Sequence, residues 1–136
     1  MPDDLILRET AHWLRYARED YAAALVLQQT ETPRHVCLLA QQSAEKAIKS
    51  IFAFLDMPIP RSHDLDLLKN LLPDDWHTKT EFAYLSELSF WAVESRYPGD
   101  LPEATVQDAE EARAQAESIL RSVEADLRSH GYVDQS

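Results

Sequence analysis

The amino-acid sequence predicts an all-α protein, an up-and-down bundle of about five helices in a single domain. The chain has 136 residues, 45% of them hydrophobic, which is enough for one packed core. Its two glycines, Gly99 and Gly131, are too few for the turns of a sheet protein of this size. Apolar residues recur at three- and four-residue spacing, the period of a helix. Residues 1–131 are predicted to form the domain and residues 132–136 a loose tail.

The first helix is predicted to run from about Asp4 to about Gln28, with Asp3 or Asp4 as its N-cap. Trp13 and Tyr16 flank its apolar stripe, and we expect them to pack at the edge of the core rather than to hold a ligand. The stripe comprises Leu7, Ala11, Leu14, Ala17, Tyr21, Ala24 and Leu25.

The second helix is predicted to begin at Thr32-Pro33, because threonine is a good N-cap and proline suits the first helical position. Small residues at positions 40, 44 and 47 allow a neighbouring helix to approach closely. The opposite, polar row is predicted to be a solvated face stabilised by an i, i+4 ion pair of Glu45 with Lys49. The members of this row are Gln41, Gln42, Glu45, Lys46 and Lys49.

A short third helix is predicted after a loop with two prolines, capped by Ser62 or Asp64 and ending before Pro73. The fourth helix is predicted to start after Asp74-Asp75 and to run to about Ser95. Its apolar residues cover more than one stripe, which indicates a central helix or one that a second subunit also covers. This pattern favours a dimer.

The fourth helix is expected to end near Arg96, because Pro98 disfavours the α conformation at Tyr97. The fifth helix is predicted to begin with a capping box at Thr105–Asp108 and to close at His130-Gly131.

Composition excludes several classes of protein. The net charge of −11 argues against a general nucleic-acid binder and against binding to anionic membranes. No apolar run is long enough to span a bilayer, and a single cysteine, Cys37, fits a reducing cytoplasm. Cys37 lies in an apolar run and is predicted to be a core residue. The histidine spacing and the absence of paired cysteines predict no metal site.

Three features remain as candidate sites: the polar row of the second helix, the His63-Asp64 entrance to the third helix, and Arg96-Tyr97. Asp64 is expected to cap the third helix, and His63 beside it to fix the loop with a hydrogen bond; a metal or catalytic role is the less favoured alternative. Arg96 has two interpretations. It either satisfies the last carbonyls of a helix or binds a phosphate or carboxylate through its guanidinium.

The order of these pieces resembles the HEPN family, the higher eukaryote and prokaryote nucleotide-binding domain. The matching segments are residues 13–21 in the first helix, residues 40–49 in the second, His63-Asp64-Leu65 and Arg96-Tyr97-Pro98. The resemblance covers roughly Leu7 to Leu127. It implies a helical bundle, usually a homodimer. It also implies a frequent pairing with a minimal nucleotidyltransferase in toxin–antitoxin or related two-component systems.

Active members of the family are metal-independent RNases, whose motif is an arginine followed after four to six residues by a histidine. Arg96 matches the motif arginine, but the window for the histidine holds Leu101, Pro102 and Glu103. In some paired systems the nucleotidyltransferase attaches AMP to a tyrosine just after the motif histidine. Tyr97 does not occupy that position.

The function predicted from these features is a non-catalytic subunit that binds a nucleotide or another anion and pairs with a nucleotidyltransferase. The predicted binding residues are Arg96, Tyr97, Glu45 and Lys46, with His63 and Asp64 as structural or possible site residues. No cofactor is expected, although a nucleotide such as ATP is a possible ligand. The alternative function is an RNase toxin in which Arg96 is catalytic. A third possibility is a helical scaffold without a ligand.

Overall fold

The computed structural model describes residues 3–94 and 103–134, with the side chains of residues 93 and 94 excepted. Over these residues the protein is an all-α bundle of six helices without strands, as the sequence predicts apart from the number of helices. The helices are α1 (Asp4–Leu27), α2 (Pro33–Phe54), α3 (Leu65–Asn70), α4 (Thr78–Glu81), α5 (Ser86–Glu94) and α6 (Val106–Ser129). No helix in this part of the chain is both long enough and apolar enough to cross a bilayer.

Helix α2 lies at the centre of the bundle and packs against α1, α6, α5 and α3. Its small residues Ala40, Ala44 and Ala47 are fully buried, and the Ser43 hydroxyl donates to the Ala17 carbonyl of α1 over 2.7 Å. Backbones can approach this closely only where the intervening side chains are small. The predicted close approach of a neighbouring helix is therefore confirmed.

The predicted caps of the outer helices are confirmed. The Asp3 carboxylate caps α1 by accepting from the Ile6 amide at 3.0 Å. Thr105 and Asp108 form a reciprocal capping box at the start of α6. Gly131 has a φ of +98°, a left-handed conformation that favours glycine just after a helix end.

The start of α2 differs in detail from the prediction. Thr32 and Pro33 stand at the predicted positions, but the Thr32 side chain makes no capping hydrogen bond to the helix. Its hydroxyl lies 2.7 Å from the Thr30 hydroxyl instead. The helix start therefore depends on the proline rather than on a threonine cap.

The fourth predicted helix is not continuous, and this prediction was wrong. It consists of α4 and α5, separated by an extended segment in which Phe82 has φ −111° and ψ 128°. Lys69 of α3 donates to the Phe82 and Ala83 carbonyls at 2.7 and 3.1 Å, and Asp66 accepts from the Leu85 amide at 2.9 Å. These side chains satisfy backbone groups that a helix would otherwise pair.

The C-terminal segment is also better packed than predicted. Tyr132 is 4% exposed, and its ring meets Phe54 edge to face at 6.1 Å. Asp134 forms an ion pair with Arg18 at 3.2 Å. A loose tail was predicted from residue 132; Tyr132 and Asp134 instead contact the bundle, whereas Val133 is 72% exposed.

Candidate functional site

A buried polar cluster lies on the polar row of α2. Gln41, Glu45 and Lys49 follow one another at four-residue intervals and are 0%, 4% and 6% exposed. The Glu45 carboxylate accepts from Lys49 Nζ at 2.9 Å and from Gln41 Nε2 at 3.2 Å. The prediction of a solvated face was wrong for these three residues. The loop before α3 contacts Gln41 and Glu45, and Trp13 of α1 lies beside Lys49.

His63, in that loop, completes the cluster. Its Nδ1 lies 2.7 Å from Glu45 Oε1, and its backbone carbonyl accepts from Gln41 Nε2 at 3.0 Å. The predicted loop-fixing hydrogen bond of His63 is therefore present, and its partner is a buried carboxylate. The imidazole itself is 44% exposed, whereas the Glu45 side chain is 6% exposed. The cluster thus has a buried anionic end and a histidine that reaches solvent.

Asp64 has a different role from its neighbour. Its carboxylate accepts from the amides of Asp66 and Leu67 at 3.0 and 3.2 Å, which confirms the predicted cap of α3. The Ser62 hydroxyl accepts from the Asp64 amide at 3.0 Å and so tightens the turn before the cap. These contacts hold the backbone on the C-terminal side of His63 and orient the loop that carries it.

Burial acts to raise the pKa of Glu45, since it penalises the charged form. The hydrogen bonds from Lys49, His63 and Gln41 outweigh that effect, and the net pKa lies below the ordinary glutamate value. Glu45 is therefore ionised at neutral pH, and a carboxylate can only accept hydrogen bonds. It follows that His63 donates from Nδ1.

This arrangement leaves Nε2 of His63 as the group available for chemistry. A neutral imidazole that donates from Nδ1 presents an acceptor at Nε2. A buried carboxylate behind Nδ1 fixes the tautomer and the orientation of the ring. The pair can bind an anion when protonated, and it can exchange a proton with a bound ligand.

An aromatic cavity of about 400 Å³ lies next to the cluster. Trp13 links the two: Lys49 Nζ is 5.9 Å from the centroid of its ring, and the same side chain lines the cavity. His12, Tyr16 and Ile59 are further lining residues. Trp13 is half-buried, in agreement with its predicted place at the edge of the core.

The predicted site residues are only partly brought together. Glu45 and His63 are in contact, whereas Lys46 points elsewhere and binds Asp20 of α1 at 2.6 Å. Arg96 and Tyr97 lie outside the described residues, as do residues 101 and 102 of the histidine window. Glu103, the last residue of that window, is exposed.

Sequence reasoning missed Gln41 and Lys49 as members of the site. The signal was present in their spacing, because residues at i, i+4 and i+8 form one row beside the apolar stripe. The contact of this row with His63 could not be predicted from spacing, because His63 is distant from the row in sequence. In residues 3–94 and 103–134, no three histidine, cysteine, aspartate or glutamate side chains converge to hold a metal ion.

Cys37 is fully buried, as predicted for a core residue. Burial raises the pKa of its thiol to about 12, with a smaller contribution from the charge of Asp108. The thiolate is therefore scarcely populated at neutral pH, and the residue takes no part in the site.

The fold and the cluster define the class of protein: a small helical bundle with a carboxylate–histidine pair between its central helix and the loop before α3. The profile of the HEPN domain family matches residues 10–126. The chain therefore belongs to the HEPN family, as its resemblance to that family implies.

Solved structures agree with this assignment. The chain is similar to TT1696 from Thermus thermophilus, with 26% identity, a TM-score of 0.75, and coverage of 87% of this chain and 98% of that one. It is also similar to ST0689, an archaeal HEPN homologue, with 26% identity, a TM-score of 0.64, and coverage of 85% and 95%. A comparison with curated proteins finds no significant match.

Proposed function

We propose that the protein is a non-catalytic HEPN subunit that binds a nucleotide or related anion and pairs with a minimal nucleotidyltransferase. The observation that carries this proposal is the Glu45–His63 pair within a HEPN domain that retains the motif arginine, Arg96, without the motif histidine. In this proposal the chain and the nucleotidyltransferase form a two-component system of the toxin–antitoxin kind in the cytoplasm. A lone thiol such as Cys37 stays reduced in that compartment.

The proposed ligand is an anion such as the polyphosphate of ATP. Arg96 provides the guanidinium for bidentate contacts, and Tyr97 forms part of the wall. Glu45 supports the site by orienting His63, whose exposed ring adds a positive charge when protonated. Lys46 belongs to the proposal only if its ion pair with Asp20 opens, because that pair holds its ammonium on the α1 side.

The groove between α5 and α6 supports the pairing with another protein. It has a volume of about 380 Å³, and Leu88, Phe90 and Trp91 contribute apolar side chains. Glu87, Asp108 and Glu111 add three carboxylates to the lining. The same groove of a second copy would carry the same charges and be repelled. The groove therefore fits a partner with basic and apolar side chains.

A homodimer is part of the same proposal, through a different surface. Leu67 on α3 and Leu71, the residue just after α3, are 44% and 50% exposed, and Tyr84 in the α4–α5 linker is 82% exposed. Lys69 holds that linker against α3, which keeps the exposed apolar residues on neighbouring elements. Apolar groups of this kind are typical of the core of an interface between copies.

The partner is tested by co-expression with the adjacent gene product and purification through a tag on this chain. A stable complex with a nucleotidyltransferase supports the proposal, and Phe90→Glu, an exposed change in the groove, should dissociate it. Val26→Glu is the matched control, since Val26 is an exposed residue of α1 that belongs neither to the groove nor to the proposed homodimer surface. Absence of any complex would remove the pairing from the proposal. Light scattering on the purified chain tests the homodimer.

A second candidate function is an RNase that uses a departed motif. The observation that favours it is His63, a solvent-reaching histidine oriented by a buried carboxylate, which is the type of group that general acid–base cleavage requires. Growth arrest and RNA degradation on overexpression, both lost in Arg96→Ala and in His63→Ala, would favour this candidate over the non-catalytic one.

A further inference from the structure

Two neighbouring cavities lie on the outer face of α1, and His12 lines both. The first has a volume of about 380 Å³ and is lined by Arg8, Arg15 and Arg18 among others. The second has a volume of about 400 Å³ and is lined by Trp13 and Tyr16. One helix therefore places a basic cavity beside an aromatic one.

The basic cavity concentrates positive charge on a protein whose net charge is −11. Arg8 forms no ion pair with any residue in the described part of the chain. Arg15 pairs with Glu19 only at 3.8 Å, with both side chains more than half exposed, and such a pair is worth little. Two guanidinium groups are thus available to a ligand.

Of the three arginines that line the basic cavity, Arg18 is held in place by ion pairs within the protein. It binds Glu124 at 2.7 Å and Asp134 at 3.2 Å, so its charge is largely balanced within the protein. Asp134 is the acidic residue that lines the basic cavity. The ion pairs hold one wall of the cavity in place and leave Arg8 and Arg15 as the groups that face a ligand.

The aromatic cavity provides flat apolar surfaces beside these charges. The rings of His12 and Tyr16 are 5.2 Å apart between centroids, and Arg15 Cζ lies 5.3 Å from the Tyr16 centroid. Planar bases stack on aromatic rings and on guanidinium groups, whereas phosphates bind arginine bidentately. The Glu9 carboxylate, also in the lining, can accept a hydrogen bond from an exocyclic amine of a base.

We propose that this face of α1 binds a nucleoside polyphosphate, with the base in the cavity of Trp13 and Tyr16 and the phosphates on Arg8 and Arg15. The site is independent of Arg96 and does not rest on the proposed function. A helix turn separates Arg8 from His12, and His12 lies between the two cavities, so one ligand can reach both.

The test is calorimetry on the full chain with ATP, inorganic triphosphate and adenosine as separate ligands. ATP should bind most tightly, because only ATP engages both cavities. Arg8→Glu should weaken ATP and triphosphate by about tenfold or more. Tyr16→Ala should weaken ATP and adenosine but leave triphosphate unchanged. Arg128→Glu is the matched control, since Arg128 is an exposed arginine on α6 that lines neither cavity.

The outcomes separate this site from the one proposed around Arg96. ATP affinity that is lost in Arg96→Ala and unchanged in Arg8→Glu would overturn the α1 site and leave the proposed function intact. ATP affinity that is lost in Arg8→Glu and unchanged in Arg96→Ala would support the α1 site and contradict nucleotide binding at Arg96. Equal losses of ATP affinity in Arg8→Glu and Arg128→Glu would overturn the α1 site, because they would show that only the overall charge of the protein matters. Binding of an RNA oligonucleotide without binding of ATP would also overturn it.

Discussion

Glu45 and His63 form a hydrogen-bonded pair, with 2.7 Å between Glu45 Oε1 and His63 Nδ1, in which the carboxylate is buried and the imidazole reaches solvent. The pair joins the central helix to the loop before α3. It therefore serves both the fold and the candidate site, and each of its roles can be measured separately.

Removing the carboxylate should destabilise the fold strongly. In Glu45→Ala, the Lys49 ammonium stays buried without its partner, and breaking a buried ion pair in this way costs about 3–5 kcal/mol. Urea unfolding measures the change. The matched control is Glu19→Ala, which removes an exposed pair at 3.8 Å and should cost less than about 1 kcal/mol. Equal costs for the two variants would contradict the buried network.

The same carboxylate should make stability depend on acid pH. Its pKa is lower in the folded chain than in the unfolded chain, so the ionised form stabilises the fold above the unfolded value of about 4.3. That stabilisation is lost as the pH falls through the folded pKa. The difference in unfolding free energy between the wild type and Glu45→Gln should therefore shrink from pH 7 to pH 3. A difference that is constant over this range would assign the effect to packing instead.

Lys69 should be the side chain that keeps the α4–α5 linker extended. Replacing it by methionine leaves the Phe82 and Ala83 carbonyls without their donor, at a cost of about 1–3 kcal/mol. Thermal unfolding followed by circular dichroism measures this cost. Lys79→Met provides the control, because Lys79 binds only an exposed carboxylate, that of Asp74. If Lys69→Met is as stable as that control, the linker does not depend on these hydrogen bonds.

Cys37 should resist thiol reagents in the native state. It is fully buried and its pKa is raised to about 12, so both access and ionisation oppose the reaction at pH 8. Labelling with a disulfide reagent should be slow in buffer and rapid in guanidinium chloride. Fast stoichiometric labelling of the folded protein would show that the core opens readily around α2.

The sequence allows α1, α2 and α6 to be predicted closely, because their signals are local: Asp3, the Thr105–Asp108 box and Gly131 each act within one turn of their helix. The break between α4 and α5 was not predictable in this way. Its hydrogen bonds come from Asp66 and Lys69, which belong to another helix.

The candidate site shows the same limit. The family resemblance identified Glu45 and His63, but periodicity placed Glu45 on a solvated face. Its burial depends on a loop eighteen residues further along the chain, which contacts the row and supplies the histidine. Local spacing reveals that a polar row exists, and only tertiary packing decides whether water or protein solvates it.

The proposed function is tested most directly by ATP binding at Arg96. ATP is titrated by calorimetry into chains with and without Arg96→Ala, all of them carrying Arg8→Glu so that the α1 site does not contribute. We predict saturable binding of ATP. Arg96→Ala should weaken it by about tenfold or more, and the exposed control Arg61→Ala should leave it unchanged. Absence of binding, or binding that is indifferent to Arg96→Ala, would contradict a nucleotide-binding HEPN subunit built around this arginine.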